Sequence, residues 1–497
     1  MVSGRRADGS ANYPHRAGPG RADDEGCAHL MTTTTAASRP DLAIVPAVVA
    51  AGAYLVGLSW AMQHSTYDVW GGLIVLPILL TVTLVLVTRG ARREGDTRMV
   101  NILAAAVVVK LVGGTLVRYA LIYEVYGTGD AQGYNGAGRI IAASLRDGYF
   151  PAELGGGGEG TQALNLVTGL VYTVIGPTRL GGFFLFSWFA FLGLFLFYLA
   201  YRLAFPQGKY HRYAKLLFFL PTLVVWPSSI GKEAWLMLGL GLSVYGAARV
   251  FTRRHGGFLI LGLGLAAVIV VRPHMAVLVF LGLALGYLLR PSRGHHAIAS
   301  RVVAGGKALG IITLAVAGFF VVGEFQEYFN LQDLDRTAVN ELLESTSDRS
   351  ASGGSAYEPL NVVDNPLTFP VAVLTVLFRP FPFEAHNAQA LASSLEGALL
   401  LGLFVLAAPR VVSGLRRSWR SPYIAFCTTY SLLFIVAFSA IGNFGILARQ
   451  RSLVYPFVIV LVTLPLGRKS VARELDQGTA HPRHPQGSLW TCQLGSD

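Results

Sequence analysis

Apolar runs of about twenty residues recur along this chain from Leu42 to Leu466. A helix of that length spans the hydrocarbon core of a bilayer, which is about 30 Å thick. Composition points the same way. Only 14% of the 497 residues are charged and 53% are hydrophobic, whereas soluble domains carry about 25% charge. The reading is an all-α, polytopic transmembrane helix bundle, and a soluble enzyme is excluded.

The predicted spans are 42–62, 69–88, 100–122, 181–204, 214–228, 233–251, 257–272, 274–290, 302–323, 390–409, 422–441 and 452–467, about twelve in all. Two further apolar pieces, Ala163 to Ile175 and Leu367 to Phe378, are too short to cross and read as re-entrant or interfacial segments. The positive charges set the expected orientation. Six short loops hold three or four basic residues each, for example Arg89, Arg92, Arg93 and Arg98, or Arg410, Arg416, Arg417 and Arg420. The positive-inside rule assigns those loops, and both termini, to the cytoplasm of a multi-pass plasma-membrane protein. Residues 1–39 are polar, lack an apolar h-region and predict a disordered cytoplasmic tail rather than a cleaved signal. Met31 would itself make a plausible start, and 471–497 reads as a second disordered cytoplasmic tail. Residues 40–470 form the transmembrane domain. Two long loops, Glu124 to Gln162 and Glu324 to Pro366, then lie outside; the second is an acidic cap with a helix-like stretch near Leu331 to Leu343.

The net charge of +12 does not indicate nucleic acid, because the basic residues are spread over short loops between apolar runs. Cys27, Cys427 and Cys492 are too few and too scattered for a disulfide framework or a metal cluster. There is no Walker loop, no dinucleotide fingerprint and no HExxH spacing, so neither a cofactor nor a metal is expected.

Chemistry is expected at the outer ends of the spans. There Lys232, Arg272, Arg379, Arg449 and Arg451 run against the positive-inside trend. Ionisable groups at the membrane are expensive and default to a functional role. Five cations beside an apolar wall suit a lipid-linked phosphate or pyrophosphate, since arginine binds phosphate oxygens bidentately at any pH. The plainer reading pairs each cation with a nearby carboxylate or lipid headgroup. Asp130, in Gly127-Thr-Gly-Asp130-Ala-Gln-Gly-Tyr134, is placed to act as a general base or merely to cap the following helix. Glu233 is a second candidate acid or base, with pairing to Lys232 as its structural alternative. Glu384 and His386 follow Arg379 in a proline-bracketed turn that forms a polar corner, and His274 and His386 read as hydrogen-bonding rather than metal-ligating. Lys110 and Lys307 are the embedded cations away from the span ends. The aromatics of 183–201 read as core or lipid-facing.

This pattern resembles the GT-C superfamily of polyprenyl-dependent glycosyltransferases, and within it the Wzy-type O-antigen and exopolysaccharide polymerases. The likeness rests on Asp130-x-x-x-Tyr134, the Ser229-Ile-Gly-Lys-Glu233 turn, Arg272-Pro-His274 and Ala448-Arg-Gln-Arg451. The resemblance implies glycosyl transfer from a polyprenyl-pyrophosphate-linked glycan at the outer face of the membrane. It would give Arg272, Arg449 and Arg451 to the donor pyrophosphate and Asp130 or Glu233 to the acceptor proton; Lys232 and Arg379 stand beside them as donor-phosphate candidates from the cation pattern. Tyr134, His274, Glu384 and His386 would contact substrate. Implied partners are the lipid-linked glycan, membrane lipids and other envelope polysaccharide-assembly proteins. A transporter or flippase of a lipid-linked sugar is the alternative; it would place charges near the midplane and often shows an inverted repeat. A scaffold within an envelope assembly is a third reading.

Overall fold

The computed structural model describes residues 41–127, 129–151, 153–290, 297–329, 331, 335–350 and 355–465. The chain divides into two units, Met1–Gly57 and Leu58–Asp497. Of the first, only the beginning of the Asp41–His64 helix is described; everything below concerns the second. The two expected tails lie outside the described residues, as do Cys27, Cys492 and the side chain of Lys307.

Among the described residues every regular element is helical, and the sole strand-like pairing is a single bridge between Ala356 and Asn443. Six helices are long and apolar enough to cross a membrane: Tyr67–Arg93, Thr97–Tyr126, Arg179–Ala204, Lys232–Phe251, Gly310–Phe329 and Ala388–Leu406. Two bent pairs raise the number to eight if each is one span: Ala408–Arg417 with Pro422–Phe438, bent by 111°, and Phe444–Leu453 with Tyr455–Thr463, bent by 61°. The expected twelve spans are therefore too many. The reason is local. The 214–228 run breaks at Leu220–Pro221 into Tyr210–Phe219 and Pro221–Val225, because proline cannot donate within a helix and disfavours helical backbone in the residue before it. The 257–272 and 274–290 runs yield helices of only 13 and 16 residues, about 20 and 24 Å long. Nor does the second long loop begin at Glu324, since the Ala297–Phe329 helix runs through it.

The core forms where small residues let backbones meet. Arg179–Ala204 packs closely on Lys232–Phe251, and a Cβ at Gly193 would come within 2.1 Å of the Met237 carbonyl oxygen. Close approach of this kind is how helices associate in lipid, where apolar burial alone gives no advantage. The aromatic run of the first helix faces inward: Phe183, Phe186, Phe191 and Phe197 are fully buried, and Tyr201 stacks on Tyr213 at 4.3 Å.

The five-residue Pro221–Val225 helix is held at its start by the half-buried Glu396 and at its end by the buried Lys110. At its start the Glu396 carboxylate accepts from the Thr222 N–H at 2.8 Å and hydroxyl at 2.7 Å. At its end the Lys110 ammonium donates to the carbonyls of Leu223, Val224 and Pro227 at 2.9, 3.0 and 3.2 Å. Both charges have the sign that opposes the helix dipole. Lys110 reaches them from a π-helical turn, Val109–Gly114, inside the Thr97–Tyr126 span. This clamp fixes the 226–231 turn, which leads directly into Lys232 and Glu233.

Candidate functional site

Four helices begin at one place. They are Asp130–Arg146, Glu159–Ile175, Lys232–Phe251 and Pro273–Leu288. Glu233, in the first turn of the third helix, accepts from Arg272 Nη2 at 3.3 Å, just ahead of the fourth. Lys232 Nζ donates to Thr161 Oγ1 of the second helix at 3.0 Å. That second helix approaches so closely that a Cβ at Gly160 would lie 2.1 Å from the Val271 carbonyl oxygen; only glycine fits. Arg449, near the end of the Phe444–Gln450 helix, joins the group from the other side. Its Nη1 donates to Asp130 Oδ2 at 3.0 Å, and its Nε lies 3.2 Å from Glu233 Oε1. Gln450 completes the ring, donating to Glu233 at 3.4 Å and accepting from Arg272.

The electrostatic character follows from this inventory. The first N–H groups of a helix have no partner within it, and the aligned peptide dipoles leave that end positive. Four such ends meet beside Lys232, Arg272 and Arg449, with Arg118 within electrostatic reach of Glu233, Arg449 and Asp130. Four cations thus face two carboxylates. Helix starts that converge with excess positive charge make an anion site. Tyr134, one helical turn beyond Asp130, is buried against the cluster. Burial pushes its phenol up to about 12, and the charges of Asp130 and Glu233 push the same way, so it stays a neutral hydrogen-bonding group. Among the described residues no three His, Cys, Asp or Glu side chains come together.

Several expected residues thus meet: Asp130, Tyr134, Lys232, Glu233, Arg272 and Arg449. The plainer pairing of cation with carboxylate holds for Arg272 and Arg449, but neither capping by Asp130 nor pairing of Glu233 with Lys232 is seen. The helix cap position before Asp130 is Gly129, with no side-chain cap bond, and the Asp130 carboxylate turns to Arg449. Glu233 pairs with two arginines while Lys232 turns to Thr161. His274 stands beside Arg272 with its ring near Tyr328 and Phe329, at 6.5 and 5.9 Å between centroids. Its Nδ1 is buried without a hydrogen-bond partner.

The remaining candidates lie elsewhere. Arg451 is buried, and its guanidinium donates to the carbonyls of Val376 at 2.8 Å and Thr375 at 3.5 Å. It closes the end of the Phe369–Phe378 helix and is not open to a ligand. Arg379 and Glu384 pair with each other, with Arg379 Nε 3.0 Å from Glu384 Oε1. The Arg379 guanidinium lies over the stacked rings of Tyr357 and Phe444, at 5.1 and 4.9 Å. Partial burial raises the Glu384 carboxyl, but its bonds to Arg379 and the Phe381 N–H outweigh that and hold it below the ordinary range. His386 is exposed on the turn beyond this corner.

Three contributors were not singled out from the sequence: Arg118, Thr161 and Gln450. Arg118 was legible, because it sits inside the 100–122 run, and an embedded arginine is a site signal in itself. Its guanidinium lies 4.8 Å over the Trp226 ring. Thr161 and Gln450 carry no such signal.

No family model, curated protein or solved structure matches this chain.

Proposed function

We propose that this chain is a membrane glycosyltransferase that extends a polysaccharide from a polyprenyl-pyrophosphate-linked glycan at the outer face of the plasma membrane. One observation carries the reading: four helix starts and four cations converge where, among the described residues, two carboxylates, Asp130 and Glu233, pair with them. That excess of positive charge suits a pyrophosphate, and the apolar helices around it suit a prenyl chain. Arg118, Lys232, Arg272 and Arg449 hold the donor pyrophosphate in this scheme. Glu233, buried between two arginines, aims them. Asp130 has a different environment: its side chain is 62% exposed, and its ion-pair partner among the described residues is Arg449. That exposure leaves it open to an acceptor hydroxyl, whereas Glu233 is buried.

The acceptor hydroxyl oxygen attacks the anomeric carbon of the donor, and its proton passes to Asp130. The bond from that carbon to the pyrophosphate oxygen breaks, and the pyrophosphate leaves with the electron pair. Preorganised cations and helix dipoles stabilise the charge that develops on it. The anomeric configuration inverts. Both termini are cytoplasmic in this arrangement, and membrane lipids and other envelope-assembly proteins are its partners.

The test is a glycan profile after deletion of the gene. Single lipid-linked repeat units accumulating on the outer face, with no long polymer, are the expected result. Units trapped on the inner face would overturn it in favour of a flippase, and an unchanged profile would overturn both.

A further inference from the structure

The Asp130–Arg146 helix has a second polar face that the proposed donor site does not use. Asn135 and Arg139 lie one turn apart on it, and Asn135 accepts from the Tyr172 hydroxyl at 2.7 Å. Arg139 pairs with Asp68, at the start of the Tyr67–Arg93 helix, and reaches the Pro177 carbonyl at 3.5 Å. Arg179 brings its Nε to 3.2 Å from the other Asp68 oxygen and lays its guanidinium 5.1 Å over the Tyr123 ring. Tyr119 and Phe183 extend that ring into an aromatic wall, with centroids 4.8 and 5.9 Å from Tyr123.

The cluster is unfinished. Among the described residues two guanidiniums contact one carboxylate, Asp68, and the exposed Glu124 is the further acid within electrostatic reach of Tyr119 beside them. The Tyr123 hydroxyl and Arg139 Nε are buried yet have no hydrogen-bond acceptor. Buried donors in folded proteins are paired in the great majority of cases, so orphans beside two guanidiniums mark where an acceptor is missing. Planar guanidiniums bind a carboxylate bidentately, as they do a phosphate, so the choice between the two anions is put to the test below. The aromatic wall offers a flat apolar face to the ring that carries it.

We propose that Tyr123, Arg139 and Arg179 form a subsite for a carboxylate-bearing sugar of the acceptor glycan. Arg139 lies nine residues beyond Asp130 on the same helix, about 13 Å along its axis, so one helix would measure the distance from the reacting end of the acceptor to its acidic unit. The acceptor role rests on the function proposed above; the recognition of an acidic sugar does not, and is tested without turnover.

Titration calorimetry on the full-length chain in detergent uses methyl glucuronide, methyl glucoside and inorganic phosphate as probes. The expected result is millimolar binding of the glucuronide, at least tenfold weaker binding of the glucoside, and no displacement by equimolar phosphate. Tyr123→Phe, which keeps the ring, and Arg139→Gln should each weaken the glucuronide at least threefold while leaving farnesyl pyrophosphate binding unchanged. Equal binding of glucuronide and glucoside, phosphate displacing the glucuronide, or a Tyr123→Phe variant that binds like wild type would each overturn the proposal. Farnesyl pyrophosphate failing to bind would instead count against the donor site alone.

Discussion

Arg449 and Arg451 stand two residues apart in Ala448-Arg-Gln-Arg451, and nothing in that string separates them. The backbone does. It stays helical from Phe444 through Leu453, and positions two apart on a helix project about 200° apart, so Arg449 points toward Asp130 and Glu233 while Arg451 points into the carbonyl end of another helix. Their substitutions should therefore fail in different ways. Arg449→Gln removes a charge-assisted contact worth about 1.5–3 kcal/mol and should weaken farnesyl pyrophosphate binding roughly tenfold to a hundredfold, with a smaller fall in melting temperature than at Arg451 because Glu233 keeps Arg272 and Gln450. Arg451→Gln leaves buried carbonyls without a donor, at a cost of about 1–3 kcal/mol each. It should lower the melting temperature by several degrees and leave the affinity intact. Calorimetry and a thermal scan on the two variants check this; equal affinity losses would refute the division. The same reasoning explains Lys232 and Glu233. Consecutive residues on a helix do not face each other, so a pair adjacent in sequence was the least available partner for either.

At the scale of elements, the short Pro221–Val225 helix shows how a break in a span becomes part of a site. Hydropathy runs straight through 214–228, because the residues on both sides of Pro221 are apolar. The break exposes backbone groups that lipid cannot satisfy, and Glu396 and Lys110 satisfy them from more than 100 residues away. Lys110 was visible in the sequence as an embedded cation, but not its partners. Lys110→Met should leave three carbonyls unsatisfied and cost about 3 kcal/mol or more, read as a shift in the midpoint of detergent-induced unfolding. It should also weaken farnesyl pyrophosphate binding, since the turn it anchors leads to Lys232 and Glu233. Lys110→Arg, which keeps donors and charge, should recover part of both. Should Lys110→Met unfold like wild type, the clamp contributes nothing.

For the whole molecule, the number of crossings and their direction decide which face holds the site. Six to eight candidate spans replace the expected twelve, and the proposed orientation puts the acidic cap outside and the Arg410–Arg420 segment inside. On a background with Cys27, Cys427 and Cys492 replaced by serine, Asp364→Cys should react with a membrane-impermeant thiol reagent in intact cells. Arg420→Cys should react only after the cells are opened. The reverse pattern would move the cation cluster to the cytoplasmic side and end the reading of an outer-face transferase.

Some of this was written in local sequence. Long apolar runs determine an all-helical chain able to sit in a membrane, because length and hydropathy are properties of a segment by itself. Cations that break such runs marked Lys232, Arg272 and Arg449 for the same reason, since a charge among apolar residues is costly wherever the chain goes. Tertiary structure alone decided the rest. It joined Asp130 to Arg449 across 319 positions, committed Arg451 to backbone carbonyls, and paired Arg379 with Glu384 away from the cluster. Which partner a charge finds depends on the meeting of distant helix ends, and helices of similar hydropathy can meet in many orders. Close contacts such as Gly160 against Val271 and Gly193 against Met237 select the order seen here.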